Sequence, residues 1–234
     1  MKKMSFIEHL EEMRIRLIKS FLFIFVFSII SYYFSDDIIS FLISPIIQEE
    51  NNLQVLKITS LFLIKIGVSI IFGIFVSAPF ILYQFFKFIL PAFENKINHF
   101  KIIFISFLCM VLVLLGLLFG YKLLIPISLS FFNSLSVNIN FVELNYTLEN
   151  YLFYMIWILM VSALIFQIPV LICLLIKIGI LTIDSLTRNR KYGIVLFFIL
   201  GAVLSPPDPI SQLLIVLPLI LLFEISVIIS RFIS

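Results

Sequence analysis

Few side chains in this 234-residue chain can do chemistry, and their spacing narrows what that chemistry is. Near the start, Glu8, Glu11 and Glu12 are interleaved with Arg14 and Arg16. Ser5 and Glu8 fit a capping box, Ser as N-cap and Glu three residues on. Phe6, Ile7, Leu10, Met13 and Leu17 recur at helical spacing, and Glu8, Glu11, Glu12 and Arg16 take the opposite face. The pattern predicts an amphipathic helix over residues 5–16, lying on a membrane interface. Glu12 and Arg16, at i and i+4, also suit a plain ion pair on a solvated face, and both readings stay open here.

Elsewhere the reactive residue types are scattered. His9 and His99 have no partner histidine or cysteine nearby, so no metal site is expected. Cys109 and Cys173 fall in apolar runs and make neither a disulfide framework nor a metal pattern. Hydrolysis inside a membrane would need paired aspartates, a Ser–His pair or a zinc-binding His–Glu motif at depth, and the sequence holds none. The chain is therefore expected to be no enzyme, with no catalytic residue and no cofactor.

The elements that must position these residues are oily. Hydrophobic residues make up 62% of the chain and charged residues 12%, with mean hydropathy +1.23. Soluble domains run at about 45–50% and about 25%, so the excess apolar surface must face lipid. A span needs about 20 apolar residues. Candidates lie at about 17–34, 66–86, 102–130, 151–176, 192–204 and 210–229. The first follows a charged segment and lacks a small-residue cleavage site, so no cleaved leader is expected. Thirteen of the 16 basic residues collect on one side of this pattern, leaving Lys57, Lys65 and Lys122 on the other. Basic loops stay in the cytoplasm, so both termini are expected there.

The fifth span is short: about 13 residues at about 1.5 Å each reach about 20 Å, against about 30 Å of hydrocarbon. Its outer turn, Ser205-Pro206-Pro207-Asp208-Pro209, cannot continue a helix. Glu224 is the one acidic residue inside a predicted span, with Arg231 about two turns away. A secondary transporter or proton-coupled permease is the main alternative class, but it wants several buried charges or broken helices in matching halves, and no repeat is visible.

Six segments, in order along nearly the whole chain, carry a resemblance. They are His9-Leu10-Glu11-Glu12-Met13-Arg14-Ile15-Arg16-Leu17; Ser77-Ala78-Pro79-Phe80-Ile81-Leu82-Tyr83-Gln84 with Phe88-Ile89-Leu90-Pro91; Phe119-Gly120-Tyr121 with Pro126; Phe166-Gln167-Ile168-Pro169-Val170; Ser205-Pro206-Pro207-Asp208 with Ser211-Gln212; and Phe223-Glu224 with Ser230-Arg231. Together they resemble TatC, the multispanning subunit of the twin-arginine, or Sec-independent, protein translocase.

The resemblance implies an all-α, six-span, N-in/C-in membrane domain over residues 1–234, with short fifth and sixth helices in a curved, cup-like bundle. It implies a bacterial inner membrane or an equivalent organellar one. It implies a scaffold, homo-oligomeric within its complex, that binds twin-arginine signal peptides and recruits single-span TatA/TatB-type subunits. Folded cargo then crosses the membrane at the expense of the proton-motive force, and nucleic acid has no part in it.

By the same resemblance, Glu12 is the acidic residue that binds the arginine pair, Arg14 and Arg16 are its basic neighbours, and Phe88 lines the site. A guanidinium is always charged and pairs with carboxylate in a two-pronged fork, which fits that role. The family's loop glutamate falls on Ile97 here, and Glu94, three residues earlier, is the candidate substitute. Gln167 stands where the family often has a glutamate; an amide still hydrogen-bonds but cannot titrate. Gln167, Gln212 and Glu224 are implied as polar or partner-helix contacts, and Pro45 and Asp208 as residues shaping the outer loops.

Overall fold

A computed structural model describes residues 6–47, 53–57, 59–93, 99–137, 146–204 and 209–233. Ser5 with its capping box, Glu94, Ile97 and Asp208 lie outside the described residues. The described chain is almost entirely helical. One two-residue parallel pairing joins β1 (Leu53–Gln54) to β2 (Tyr146–Thr147), with Leu53 opposite Tyr146. Two compact units form, Met1–Ser44 with Val55–Val111 and Pro45–Gln54 with Leu112–Ser234.

In the first unit, α1 (Phe6–Tyr33) packs along α3 (Ser60–Phe93). The expected interfacial helix over 5–16 and the span over 17–34 are one unbroken rod, because nothing between Arg16 and Leu17 stops a helix. The second span, expected over 66–86, sits inside a longer helix of 34 residues. The two helices meet through small and aromatic residues. A Cβ built on Gly73 would lie 2.7 Å from the Ser28 nitrogen and 2.8 Å from its Cα, so only glycine permits this approach. One turn or more away, Phe23 lies flat on Phe80, ring centroids 3.7 Å apart and planes 9° from parallel. Buried Ser20 and Ser77 donate to the carbonyls of Arg16 and Ile74 on their own helices, which satisfies them without water.

After α1 the chain turns at Phe34 into α2 (Ser35–Ile47), whose first turn carries Asp36 and Asp37 at its positive dipole end. Pro45, implied as a residue shaping an outer loop, lies in the last turn of α2, between the first two expected spans. Proline has no N–H to give the carbonyl four residues back. The Ser44 hydroxyl donates to that carbonyl, Phe41 O, at 2.9 Å, which is why the helix tolerates the ring. Lys65 straddles the Asp36 carboxylate, 2.7 Å from one oxygen and 2.9 Å from the other.

α4 (His99–Phe119) begins in the first unit and ends in the second, where it passes through a π-helical turn, Gly120–Leu124, into α5 (Ile125–Val137). The cause is Pro126, which cannot bond to the Lys122 carbonyl; the Ile125 N–H reaches back five residues to Gly120 instead. α6 (Leu148–Ile165) starts at Thr147, whose hydroxyl accepts from the Asn150 N–H. It stops at Phe166–Gln167, since the ring of Pro169 denies Ile165 its partner. The chain resumes as α7 (Ile168–Lys177), so the fourth expected span is broken rather than continuous. Gly116 backs onto α6, where a Cβ would lie 2.7 Å from the Ser162 carbonyl oxygen.

Gly179, with φ of 82°, turns the chain into α8 (Ile183–Arg188). α9 (Arg190–Leu204) and α10 (Pro209–Ile233) pack together, with Gly201 against Val216. Buried Met155, Ile158, Leu129, Val216 and Leu219 are among the residues filling this unit.

Among the described residues, five helical stretches are long and apolar enough to cross a bilayer: Ile7–Tyr33, Ser60–Ile89, His99–Ser134, Leu148–Lys177 and Gln212–Arg231. α9, with 15 residues, is shorter than the roughly 20 that a perpendicular span takes.

Candidate functional site

The acids of the N-terminal segment face a groove of about 430 Å³ in the first unit, formed where the early turns of α1 run beside the later turns of α3. Helical spacing puts them there. Glu8, Glu12, Ile15 and Lys19 follow one another at three- and four-residue steps, with Glu11 beside Glu12, and Gln84 and Lys87 share one face of α3.

Glu12 and Arg16 do pair, and the pair is part-buried, with side-chain exposures of 31% and 16%. Two guanidinium nitrogens, Nε at 3.1 Å and Nη2, both donate to a single carboxylate oxygen, Glu12 Oε1. The third, Nη1, donates to Gln84 Oε1 across on α3, also at 3.1 Å. Arg16 is thus held by two helices, while among the described residues Glu12 Oε2 has no partner. The solvated-face reading of this pair does not describe it: the arginine is tied to residue 84, not only to the turn before it.

Arg14 behaves differently. It pairs with Glu11 at 3.3 Å, both side chains are more than half exposed, and it does not line the groove. Phe88 is stacked on His9, ring centroids 4.3 Å apart, and is not itself a lining residue. Lys87 lies over the Tyr83 ring, 5.4 Å from its centroid. The described lining residues carry three carboxylates (Glu8, Glu11 and Glu12) against three cations (Arg16, Lys19 and Lys87). The groove is therefore balanced in charge. A cationic ligand gains little from its net field and must be read by directional hydrogen bonds.

Sequence reasoning singled out Glu12 and Arg16, which the structure brings together, but gave no part to Gln84, Lys87, Lys19 or His9. A signal for Gln84 existed: it precedes Phe88 by four residues, so one face of α3 presents both.

The remaining expected residues lie in the second unit. Gln167 sits at the α6–α7 break, its N–H donating to Leu164 O and its carbonyl accepting from the Leu171 N–H, each at 3.0 Å. Gln212 reaches from α10 to α9, its Nε2 donating to the Phe198 carbonyl at 3.0 Å. Glu224 is paired with Arg190 at 3.3 Å, an ion pair between α10 and α9. Among the described residues no group of three or more His, Cys, Asp or Glu is placed to hold a metal.

Residues 8–218 match the family model described as Sec-independent protein translocase protein (TatC). The chain is 32% identical over 234 residues to the Sec-independent protein translocase protein TatC of Carboxydothermus hydrogenoformans, covering all of this chain and 95% of that one. It is 36% identical over 225 residues to a tatC-like protein, ymf16, of Reclinomonas americana, covering 93% and 84% of the two chains. Among solved structures it is similar to a twin-arginine translocase receptor, TatC, at TM-score 0.81 and 31% identity, over 96% of this chain and 99% of that one.

Proposed function

This chain belongs to the TatC family, non-enzymatic membrane subunits of the Sec-independent protein translocase, and on that premise we propose that its N-terminal groove is the receptor for the arginine pair of twin-arginine signal peptides. The observation that carries the reading is Glu12. It is a part-buried carboxylate with one oxygen engaged and the other without a partner among the described residues, in a groove wide enough for a side chain. Burial strengthens each hydrogen bond a guanidinium makes there, because water competes less. The stacked rings of Phe88 and His9 join the same two helices, α1 and α3, that form the groove.

The chain crosses the membrane six times with both ends in the cytoplasm. Five long apolar stretches, the short α9 and the one-sided distribution of basic residues support that count. The groove then opens on the cytoplasmic side, where cargo arrives folded. Single-span TatA/TatB-type subunits dock on the second unit, near Gln212, at the outer end of the last span, whose amide donates to the Phe198 carbonyl of α9. Gln167 carries no proton, so coupling to the proton-motive force does not pass through that position.

The test is photocrosslinking from Ile15 and from Phe88 in the assembled membrane complex, with twin-arginine and twin-lysine signal peptides compared. Crosslinks to the arginine form should dominate by about tenfold or more. Equal crosslinking to both forms would remove the receptor assignment.

A further inference from the structure

Arg16 is seated at three nitrogens, and only one of its two partners is local. An i, i+4 ion pair alone is worth so little that it would be closed only about twice as often as open. The bond from Nη1 to Gln84 Oε1, 3.1 Å long and spanning 68 residues of sequence, is what ties the guanidinium to a second helix. With Arg16 fixed, Glu12 Oε1 is fully committed, by two donors on one oxygen. The open oxygen, Oε2, is then presented in one orientation.

This matters because the described lining of the groove is balanced in charge. A lysine ammonium is a hydrated point charge that follows the net field, and here three acids are cancelled by three cations. An arginine can deliver a planar N–H group to a fixed acceptor, so it gains from geometry where lysine gains nothing. Whatever fixes the acceptor then sets the preference.

We propose that Gln84 is a specificity-determining positioning residue, which through Arg16 holds the Glu12 carboxylate in the orientation that distinguishes an arginine pair from a lysine pair. The inference rests on the receptor reading above and adds to it the residue that makes the receptor selective. Gln84 acts through Arg16, from whose Nη1 it accepts a hydrogen bond.

The experiment measures the affinity of the purified full-length protein in nanodiscs for a fluorescent twin-arginine signal peptide and its twin-lysine counterpart. Wild type is compared with Gln84→Leu, Gln84→Glu and Glu12→Gln. Gln84→Leu removes the acceptor at similar size and should weaken the arginine peptide about tenfold and bring the arginine-to-lysine ratio close to one. Gln84→Glu keeps an acceptor for Nη1; it should tighten both peptides somewhat, through its added charge, and keep the ratio. If Gln84→Leu keeps the wild-type ratio while Glu12→Gln loses it, the role of Gln84 is overturned and the receptor stands. If Gln84→Glu fails as Gln84→Leu does, the side chain acts by packing and the proposal is likewise overturned. If Glu12→Gln binds both peptides as wild type does, the receptor reading itself falls.

Discussion

His9 lies flat on Phe88, with ring centroids 4.3 Å apart and planes 15° from parallel, so the second turn of α1 and a late turn of α3 share one aromatic stack. An aromatic pair of this kind adds about 0.5–1.5 kcal/mol beyond its burial. His9→Ala should therefore weaken twin-arginine peptide binding two- to fivefold, by freeing Phe88, while His9→Phe should keep it. Peptide anisotropy titrations on the three proteins decide this. Equal affinities would mean that Phe88 holds its place without His9.

Lys19 is an exposed cation on the groove wall, and no partner is recorded for it among the described residues. Removing it tips the lining toward acid. Lys19→Gln should tighten peptides of either kind about two- to threefold at low salt, and the gain should fade as the Debye length shortens to about 8 Å at physiological salt. A loss of affinity would show that Lys19 contacts the peptide rather than repelling it.

Two glycines of α3 should respond with opposite signs to the same substitution. At Gly73 a Cβ would press on the Ser28 backbone, and Gly73→Ala should cost about 1–3 kcal/mol as α1 and α3 are forced apart. At Gly67 nothing lies within 4 Å. Gly67→Ala should gain about 0.5–1 kcal/mol, since alanine is the better helix former. Thermal unfolding in detergent reads both. A neutral Gly73→Ala would mean that the helices separate more easily than their packing suggests.

The ion pair of Arg190 and Glu224 is only half-buried, at 42% and 37% side-chain exposure. Such pairs contribute about 0.2–1 kcal/mol. Glu224→Gln should lower thermal stability by no more than that, and the swapped pair Arg190→Glu with Glu224→Arg should recover most of it. If Glu224→Gln instead abolishes export at unchanged stability, the carboxylate serves a partner and not the bundle.

The helices were legible in the sequence because lipid demands long apolar runs, and five such runs are present among the described residues. What stayed hidden was of two kinds. α2 is an apolar helix of 13 residues, too short to read as a span, with Pro45 in its last turn. The π-turn before Ile125 and the break before Ile168 follow from prolines that periodicity alone does not weigh. The site divided the same way. Glu12 and Arg16 are one turn apart and visible to local spacing, whereas Gln84 joins them from 68 residues away. Arg190 is chosen over Arg231 by the packing of α9 on α10, which no local rule contains.

The wide turn at Gly120–Leu124 acts on everything after it as a phase shift. One residue more per loop of the spiral rotates α5 by about 100° relative to an uninterrupted continuation of α4. Ile125 and Leu129, which are buried, face inward only because of that rotation. Trimming a single amino acid from this loop would roll those side chains toward the lipid, while Pro126 would still leave one carbonyl without an N–H, so a tighter turn here would be the poorer fit.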